Sequence, residues 1–242
     1  MRFICFVLFL LSTITGLCQP SVVHKYGDSI VYHNRHISLG AKHSGIGFGN
    51  FIHYSGIKLS FLDKDTLTNG ISIALSQRKQ PKKTNGIELG GNITTSEING
   101  AAVGILNTVY VKLNGGSLAV LYNYNWRLNG VAISGVFQMS DYLKGISIGG
   151  LADIHHSSKG LVVAGAYEST DSLYGVGIGG IAIHTDDFRG ITIAAINSTI
   201  TGHGLQIGII NQANGFRGVQ IGLINYNKDK KHLKVLPFVN VN

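Results

Sequence analysis

The segment Gly204-Leu-Gln-Ile-Gly-Ile-Ile-Asn211 recurs almost unchanged as Gly218-Val-Gln-Ile-Gly-Leu-Ile-Asn225. Each copy begins with a glycine that is followed by an apolar residue, a spacer and a second apolar residue. The same pattern begins at earlier glycines, at steps of 14 or 15 residues: Gly190, Gly175, Gly160, Gly145, Gly130, Gly115, Gly100 and Gly86. Looser copies begin at Gly70, Gly56 and Gly45. A fixed period of this length is typical of repeat architectures, in which each copy forms one structural unit.

The composition indicates an ordered, all-β protein. The chain has 242 residues, of which 44% are hydrophobic, 13% are charged and 33 are glycine. That apolar fraction is too high for a disordered chain, and frequent glycine is typical of strands joined by tight turns. Because the repeat runs through nearly all of the sequence, we expect a single repeat-built β domain over residues 19–242.

Residues 1–18 have the features of a secretory signal peptide. Arg2 supplies a positive charge, residues 3–11 form an apolar segment, and the small residues Gly16 and Cys18 precede an expected cleavage site before Gln19. The sequence therefore predicts that the mature chain is exported.

The cysteines restrict the chemistry of the mature chain. Both of them, Cys5 and Cys18, lie in the leader, so we expect no disulfide and no cysteine ligand or nucleophile after cleavage. As an alternative, Cys18 is the acylated residue of a lipoprotein, although Leu17 is bulkier than the residue that usually precedes such a cysteine. No later segment has 18 uninterrupted apolar residues, so the sequence predicts no membrane-spanning helix.

The net charge of the chain is +8, and basic residues form two clusters, at residues 78–83 and 228–234. An exported protein seldom meets nucleic acid, so we expect no nucleic-acid partner. Outer-membrane lipid and surface polysaccharide are the expected anionic partners. The alternative is that both clusters are solvated loops between strands, because runs of charge usually mark a wet surface.

Apolar and polar residues alternate in the central copies. In the copy that begins at Gly115, one face carries Leu118, Val120, Tyr122, Tyr124, Trp126 and Leu128, and the other carries mostly small or polar residues such as Asn123 and Asn125. This period of two predicts long strands. We expect the side of Trp126 to face hydrocarbon or protein and the side of Asn125 to face away.

Asn-Gly pairs close several of the copies. They occur at Asn69-Gly70, Asn85-Gly86, Asn99-Gly100, Asn114-Gly115 and Asn129-Gly130. Both residues tolerate positive φ, and the pair is a strong signal for a two-residue hairpin turn. The sequence therefore favours an antiparallel meander of about 14 strands that closes into a barrel, which leaves no open sheet edge.

A column of small residues supports a second architecture. Four residues after each anchor glycine the chain has Gly, Ala or Ser: Gly90, Gly104, Ala119, Ser134, Gly149, Ala164, Gly179, Ala194, Gly208 and Gly222. Something must pack closely at this position in every copy. A β-solenoid with one coil of about 15 residues per repeat explains such a column, because identical residues stack on one another. A second column, six residues after the anchor, is apolar from Leu106 to Ile224 and predicts an interior that is not simply aqueous.

The C-terminal residues predict a closing strand. Val235, Val239 and Val241 alternate with other residues, and Pro237 restricts the strand to a sheet edge or a bulge because proline lacks the backbone N–H.

The repeats, together with Leu236-Pro237-Phe238, resemble a family of exported surface-repeat proteins of Gram-negative-type bacteria built from Gly-Val-Gln-Ile-Gly-Leu-Ile-Asn units. The match is closest at residues 204–211 and 218–225 and extends over residues 45–242. The resemblance implies a location in the outer membrane or at the cell surface, and no known catalysis.

Two groups of residues have the composition of ligand sites. Gly175-Val-Gly177-Ile-Gly179-Gly180 has the spelling of a dinucleotide-binding loop, but its glycines fall on repeat positions and we expect another strand after it instead of a helix. A second group would offer imidazole and carboxylate to a metal: Asp153, His155, His156, His184, Asp186 and Asp187. Adjacent His155 and His156 point to opposite faces of a strand, and no known ligand spacing is present, so polar turn residues are the favoured interpretation.

Tyr122, Tyr124 and Trp126 have the chemistry to stack on sugars, but on one face of a strand they are favoured as an aromatic girdle or as core. No nucleophile elbow or supported carboxylate pair is present. The sequence thus predicts no catalytic, cofactor or metal residue, and no small-molecule cofactor. The expected function is that of a non-enzymatic outer-membrane or cell-surface β-repeat protein with a structural, passage or binding role. The alternative is a soluble exported β-solenoid that binds a surface partner or polysaccharide.

Overall fold

The structure, a computed structural model, describes residues 36–40, 43–77 and 82–241. These residues form β-strands, turns and bends and contain no helix. The chain divides into two compact units, Met1–Val103 and Gly104–Asn242. The leader predicted at residues 1–18 and residues 78–81 of the first basic cluster lie outside the described residues. The single domain predicted over residues 19–242 stays a prediction.

Unit 1 consists of parallel strands after a short antiparallel pair. Its strands are β1 (His36–Leu39), β2 (Ser44–Gly49), β3 (His53–Asp63), β4 (Leu67–Gln77) and the first part of β5 (Lys83–Ala119). Strand β1 pairs with β2 antiparallel, and β2, β3, β4 and β5 pair successively in parallel. The anchor glycines are in register, since Gly45, Gly56, Gly70 and Gly86 are successive Cα partners.

Unit 2 repeats the parallel arrangement over more coils. After the end of β5 come β6 (Tyr122–Ser134), β7 (Phe137–Gly149), β8 (Ala152–Ala164), β9 (Tyr167–Gly179), β10 (Ala182–Ile193), β11 (Ile196–Ile207), β12 (Ile210–Asn227) and β13 (Val235–Val241). From β5 to β12 each strand pairs in parallel with the next, and the anchor glycines are again in register.

In each unit, therefore, successive repeats stack as the coils of a β-solenoid. The prediction of an antiparallel meander closing into a barrel is wrong, and its alternative describes the observed pairing. The reason lies at the Asn-Gly pairs. Gly130 does have positive φ, 137°, but it lies within β6, where the chain bends without reversing. Asn129 donates to the Oδ1 of Asn114 at 3.0 Å, a coil-to-coil contact that in-register parallel stacking allows.

The interior of the coils is lined by the face that the sequence analysis expected to point away. Asn125 is 0% exposed, whereas Trp126 is 47% exposed. Near the C-terminal end of the stack, buried amides form ladders in which one residue bonds the equivalent residue of the next coil, whereas Asn125 bonds Asn123 of its own strand at 3.1 Å. Asn197 donates to Asn211 at 2.8 Å, and Asn211 donates to Asn225 at 2.7 Å. Such ladders satisfy polar groups inside the stack, so polarity alone does not indicate which face is buried.

The column of small residues lies inside the coils, and the close packing predicted for it is confirmed. A Cβ added to Gly149 would lie 2.2 Å from the carbonyl oxygen of Ala152, and one added to Gly208 would lie 2.6 Å from Asn197 Nδ2. The apolar column six residues after the anchor is outside instead, and Ile181 is 60% exposed. Gly180 and Ile181, which join β9 to β10, both point outward, so the inward and outward alternation shifts by one residue there.

The last strand caps unit 2. Strand β13 runs antiparallel to β12, with a register shift between Gly222 and Asn225. The predicted closing strand is confirmed, and Pro237 lies in an edge strand, where a missing N–H costs no ladder hydrogen bond.

Candidate functional site

A row of rings from three successive coils lies on the outer surface of unit 2. It consists of Trp126 in β6, Tyr142 in β7 and His156 in β8, and we refer to these residues as the aromatic strip. The ring centroids of Trp126 and Tyr142 are 6.3 Å apart, and those of Tyr142 and His156 are 5.9 Å apart. All three residues are exposed. Both contacts are edge-to-face, with interplanar angles of 62° and 85°, which leaves ring faces open to solvent.

The stacking of the coils explains why these rings meet. Parallel neighbours lie about 4.8 Å apart, so equivalent positions of successive repeats come within side-chain reach. Arg127 is the direct Cα partner of Tyr142, and Trp126 precedes it. Beneath the strip, the buried side chains of Leu128 and Leu143 anchor the two strands to the interior.

Charged groups flank the strip. The Arg127 guanidinium lies 6.0 Å from the centre of the Tyr142 ring, and His156 Nδ1 lies 2.6 Å from Asp171 Oδ2. The His156–Asp171 pair is exposed, so it contributes little to stability, but its polar atoms are accessible to a ligand. The strip thus combines apolar ring faces with hydrogen-bonding groups at its edge.

A second ring, Tyr174 in β9, carries a similar set of neighbours. Its ring centre lies 5.8 Å from Lys159 Nζ and 5.4 Å from the Arg189 guanidinium, and its hydroxyl donates to Asp187 at 3.1 Å. Cations near a ring face are attracted by its quadrupole, which holds both side chains beside the ring.

The predicted histidine and aspartate group is divided between the interior and the surface. His155 is buried, with Nε2 2.7 Å from Asp153 Oδ1, whereas His156 is exposed. His184 and Asp186 form an exposed pair at 3.5 Å, and Asp187 bonds Tyr174. The opposite orientation of His155 and His156 is as predicted, but these residues lie in strands β8 and β10, so their interpretation as turn residues is wrong. Among the described residues, no three His, Cys, Asp or Glu residues are arranged to hold a metal ion.

The other candidates are positioned by the repeat. Gly175 to Gly179 lie in β9, and strand β10 follows them, as the sequence analysis expected. Tyr122 and Tyr124 are half-buried on the outer surface, and the hydroxyl of Tyr124 is 3.4 Å from Asp141 Oδ2. Burial, and secondarily the charge of Asp141, raises the pKa of Tyr124. The interpretation of this group as core is therefore wrong.

The interior beside His155 contains a carboxyl group with a perturbed pKa. Glu168 is fully buried, and its Oε1 accepts a hydrogen bond from Thr170 at 2.6 Å. Burial raises the pKa of Glu168 to about 7, and the opposing effects of Thr170 and His155 are smaller. Asp153, Glu168 and their neighbours face the interior of the coils, so they are structural groups and not an accessible site.

Unit 1 contains a buried ion network that the sequence analysis missed. Lys58 Nζ lies 2.6 Å from Asp63 and 2.6 Å from Asp65, and Lys82 contacts Asp63 at 2.5 Å as well as Glu88. The two ammonium groups outweigh the effect of burial and hold the pKa of Asp63 far below its usual value. Burial, reinforced by the charge of Asp63, raises the pKa of Asp65 to about 6.

The two basic clusters differ in their surroundings. Lys82, at the end of the first cluster, is buried in the ion network, so its interpretation as part of a solvated loop is wrong. Lys228, Lys231 and Lys234 of the second cluster are exposed between β12 and β13, as that interpretation predicts.

In the described part of the chain, no helix has the length and apolar character needed to cross a membrane. No protein-family model, curated protein or solved structure matches the chain.

Proposed function

We propose that this chain is an exported, non-enzymatic β-solenoid protein of the cell surface that binds a surface polysaccharide along the aromatic strip. The observation that carries the proposal is the alignment of Trp126, Tyr142 and His156 on three successive coils. The expected leader at residues 1–18 and the resemblance of the repeats to exported surface-repeat proteins support the location.

The strip suits a sugar polymer for two physical reasons. First, sugar rings have apolar C–H faces that pack against exposed aromatic rings such as that of Trp126. Second, sugar hydroxyls need hydrogen-bond donors and acceptors, which Arg127 and Asp171 provide beside the strip. Rings recur on three successive coils, so an extended chain of similar units meets an aromatic contact at each of these coils. A role in passage depended on the barrel and is not proposed.

Trp126 provides a direct assay, because it is the only tryptophan in the chain. We expect its fluorescence to shift when the purified full chain is titrated with polysaccharide extracted from the surface of its source cells. Tyr142→Ala should weaken binding roughly tenfold, since an aromatic contact contributes about 0.5–1.5 kcal/mol beyond its area. Phe137→Ala is the matched control, because Phe137 is an equally exposed ring of the same strand outside the strip.

Two outcomes would refute the proposal. One is an unchanged Trp126 signal at saturating polysaccharide. The other is an equal loss of affinity in the Tyr142 and Phe137 variants, which would indicate contact with apolar surface in general.

A further inference from the structure

Unit 2 has an outward side that is uniformly apolar. In the seven coils from Gly130 to Gly218, the residues one and three positions after the anchor glycine are Val, Ile or Leu without exception. The residue between them points inward, as Thr192 does between Ile191 and Ile193, which are 37% and 39% exposed. We refer to these two columns as the apolar face.

The dimensions of the apolar face limit what can cover it. Six steps of about 4.8 Å make it roughly 29 Å long, and two columns separated by two residues make it on the order of 10 Å wide. The resulting area, roughly 300 Å², is well below the 800 Å² that each partner buries in a stable dimer. A patch of this size is at the lower end of the range for the largest apolar patch on a monomeric protein, about 300–600 Å², and such patches are often functional.

A column of cations runs along one edge of the apolar face. The residue before the anchor glycine is Lys144, Lys159, Arg189 or Arg217 in four of the coils, and all four are exposed. The strand register aligns these positions with Tyr174 and His203 in the intervening coils. Neither this cation column nor the apolar face contains an Asp or Glu residue.

The apolar face also deepens near its C-terminal end. Ile193, Ile207, Ile221, Leu223 and Phe238 line an open groove of about 510 Å³. A groove lined by aliphatic and aromatic side chains accepts a hydrocarbon chain without leaving any polar group of the protein unsatisfied.

From this arrangement we propose that unit 2 docks by its apolar face on an anionic lipid bilayer, with the cation column against the head groups. Apolar side chains enter the boundary between head groups and acyl chains, while long lysine and arginine stems keep their charges at the level of the lipid phosphates. A bilayer needs no complementary shape, so a narrow flat face is sufficient. The aromatic strip is formed by other residues, so docking and polysaccharide binding can be tested by separate substitutions.

The test measures co-flotation of the full chain, exported and purified, with vesicles of phosphatidylcholine and phosphatidylglycerol at 3:1. We expect binding to these vesicles and little binding to phosphatidylcholine alone. A variant that combines Lys144→Gln, Lys159→Gln and Arg217→Gln should bind the anionic vesicles about a hundredfold more weakly, because each basic residue contributes roughly fivefold at an anionic surface. The matched control combines Lys228→Gln, Lys231→Gln and Lys234→Gln, which remove the same charge from exposed residues outside the apolar face.

A second variant tests the apolar contribution. This threonine variant combines Val163→Thr, Ile193→Thr and Ile207→Thr. Threonine is also β-branched, so circular dichroism should show that the fold persists while vesicle binding is lost. Equal losses of vesicle binding in the two charge-removal variants would overturn the proposal, because they would indicate attraction by net charge alone. The proposal would also be overturned if the chain did not bind vesicles but sedimented as a dimer, and if the threonine variant sedimented as a monomer. That result would assign the apolar face to contact with a second copy of the chain. Trp126 fluorescence with polysaccharide is read in the same variants, so a failure of docking is distinguishable from a failure of the proposed function.

Discussion

Gly130→Ala should strongly destabilise unit 2. Gly130 has φ of 137°, and a Cβ at this residue would lie 2.0 Å from the carbonyl oxygen of Gly115 in the preceding coil. A non-glycine residue in this region of backbone space costs about 1–3 kcal/mol. Moving the Gly115 carbonyl away disturbs its hydrogen bonding at a further cost of about 1–3 kcal/mol. The reduced entropy of the unfolded chain offsets only about 0.4–1 kcal/mol, so we expect a net loss of about 3 kcal/mol.

Gly116→Ala is the control for this experiment. The nearest atom to a Cβ at Gly116 is the Val131 carbonyl oxygen at 4.0 Å, and Gly116 does not have positive φ. This variant should be neutral or stabilised by up to about 1 kcal/mol, because only the unfolded state is affected. Urea unfolding followed by circular dichroism gives both values, and Gly130→Ala should lower the melting temperature by roughly 6–12 °C.

The outcome that would refute this reasoning is similar stability in the two alanine variants. It would mean that the coils are not held at the spacing at which the Gly130 and Gly115 backbones touch. A large loss from Gly116→Ala with little effect of Gly130→Ala would contradict the register itself.

Two further predictions concern buried charge. Because the pKa of Glu168 is raised to about 7, the folded state binds a proton more tightly than the unfolded state, and stability should fall as pH rises from about 4.5 to about 7. Glu168→Gln should remove this decline and stabilise the chain at pH 8 by at most about 3 kcal/mol, measured by urea unfolding. Stability that changes with pH in the same way in the variant and the unsubstituted chain would contradict this prediction. Lys58→Met removes the ammonium shared by Asp63 and Asp65 and should destabilise unit 1 by about 3–5 kcal/mol in thermal unfolding. Adding Asp65→Asn should recover part of that loss, and a double variant no more stable than the single one would contradict the role of the network.

The sequence was sufficient to predict the repeat, its all-β character, the close packing at Gly149 and Gly208, and the closing strand. It did not determine the direction of neighbouring copies. Gly130 suits a positive φ both in a hairpin turn and at a bend within a strand, so the local signal of the Asn129-Gly130 pair is the same in each case. The difference lies in which residues pair, and that is a contact between distant parts of the chain.

The burial of Asn125 and the exposure of Trp126 were also beyond sequence patterns. Alternation separates two faces, but it does not say which is inside when amides can bond one another within a strand, as Asn125 and Asn123 do, or from coil to coil, as Asn197 and Asn211 do. The aromatic strip was missed in part for the same reason. The sequence draws attention to Trp126 and His156 separately, but Tyr142 lies one position later in its own copy, so only coil stacking brings the three rings together. The burial of Lys82 is not evident from its basic neighbours in the sequence, because its carboxylate partners Asp63 and Glu88 are brought to it by strands β3 and β5.

The antiparallel direction of strand β13 has a consequence for whether the stack of coils can continue past β12. A parallel coil offers its open edge to any further copy of the same repeat, and in-register stacking would then continue from one molecule to the next as a fibril. Strand β13 reverses direction on β12, carries Pro237 and holds Phe238 at φ 63°, so its outer edge does not reproduce the pattern of a coil. This terminal strand is a means of keeping a self-complementary repeat from polymerising at that end.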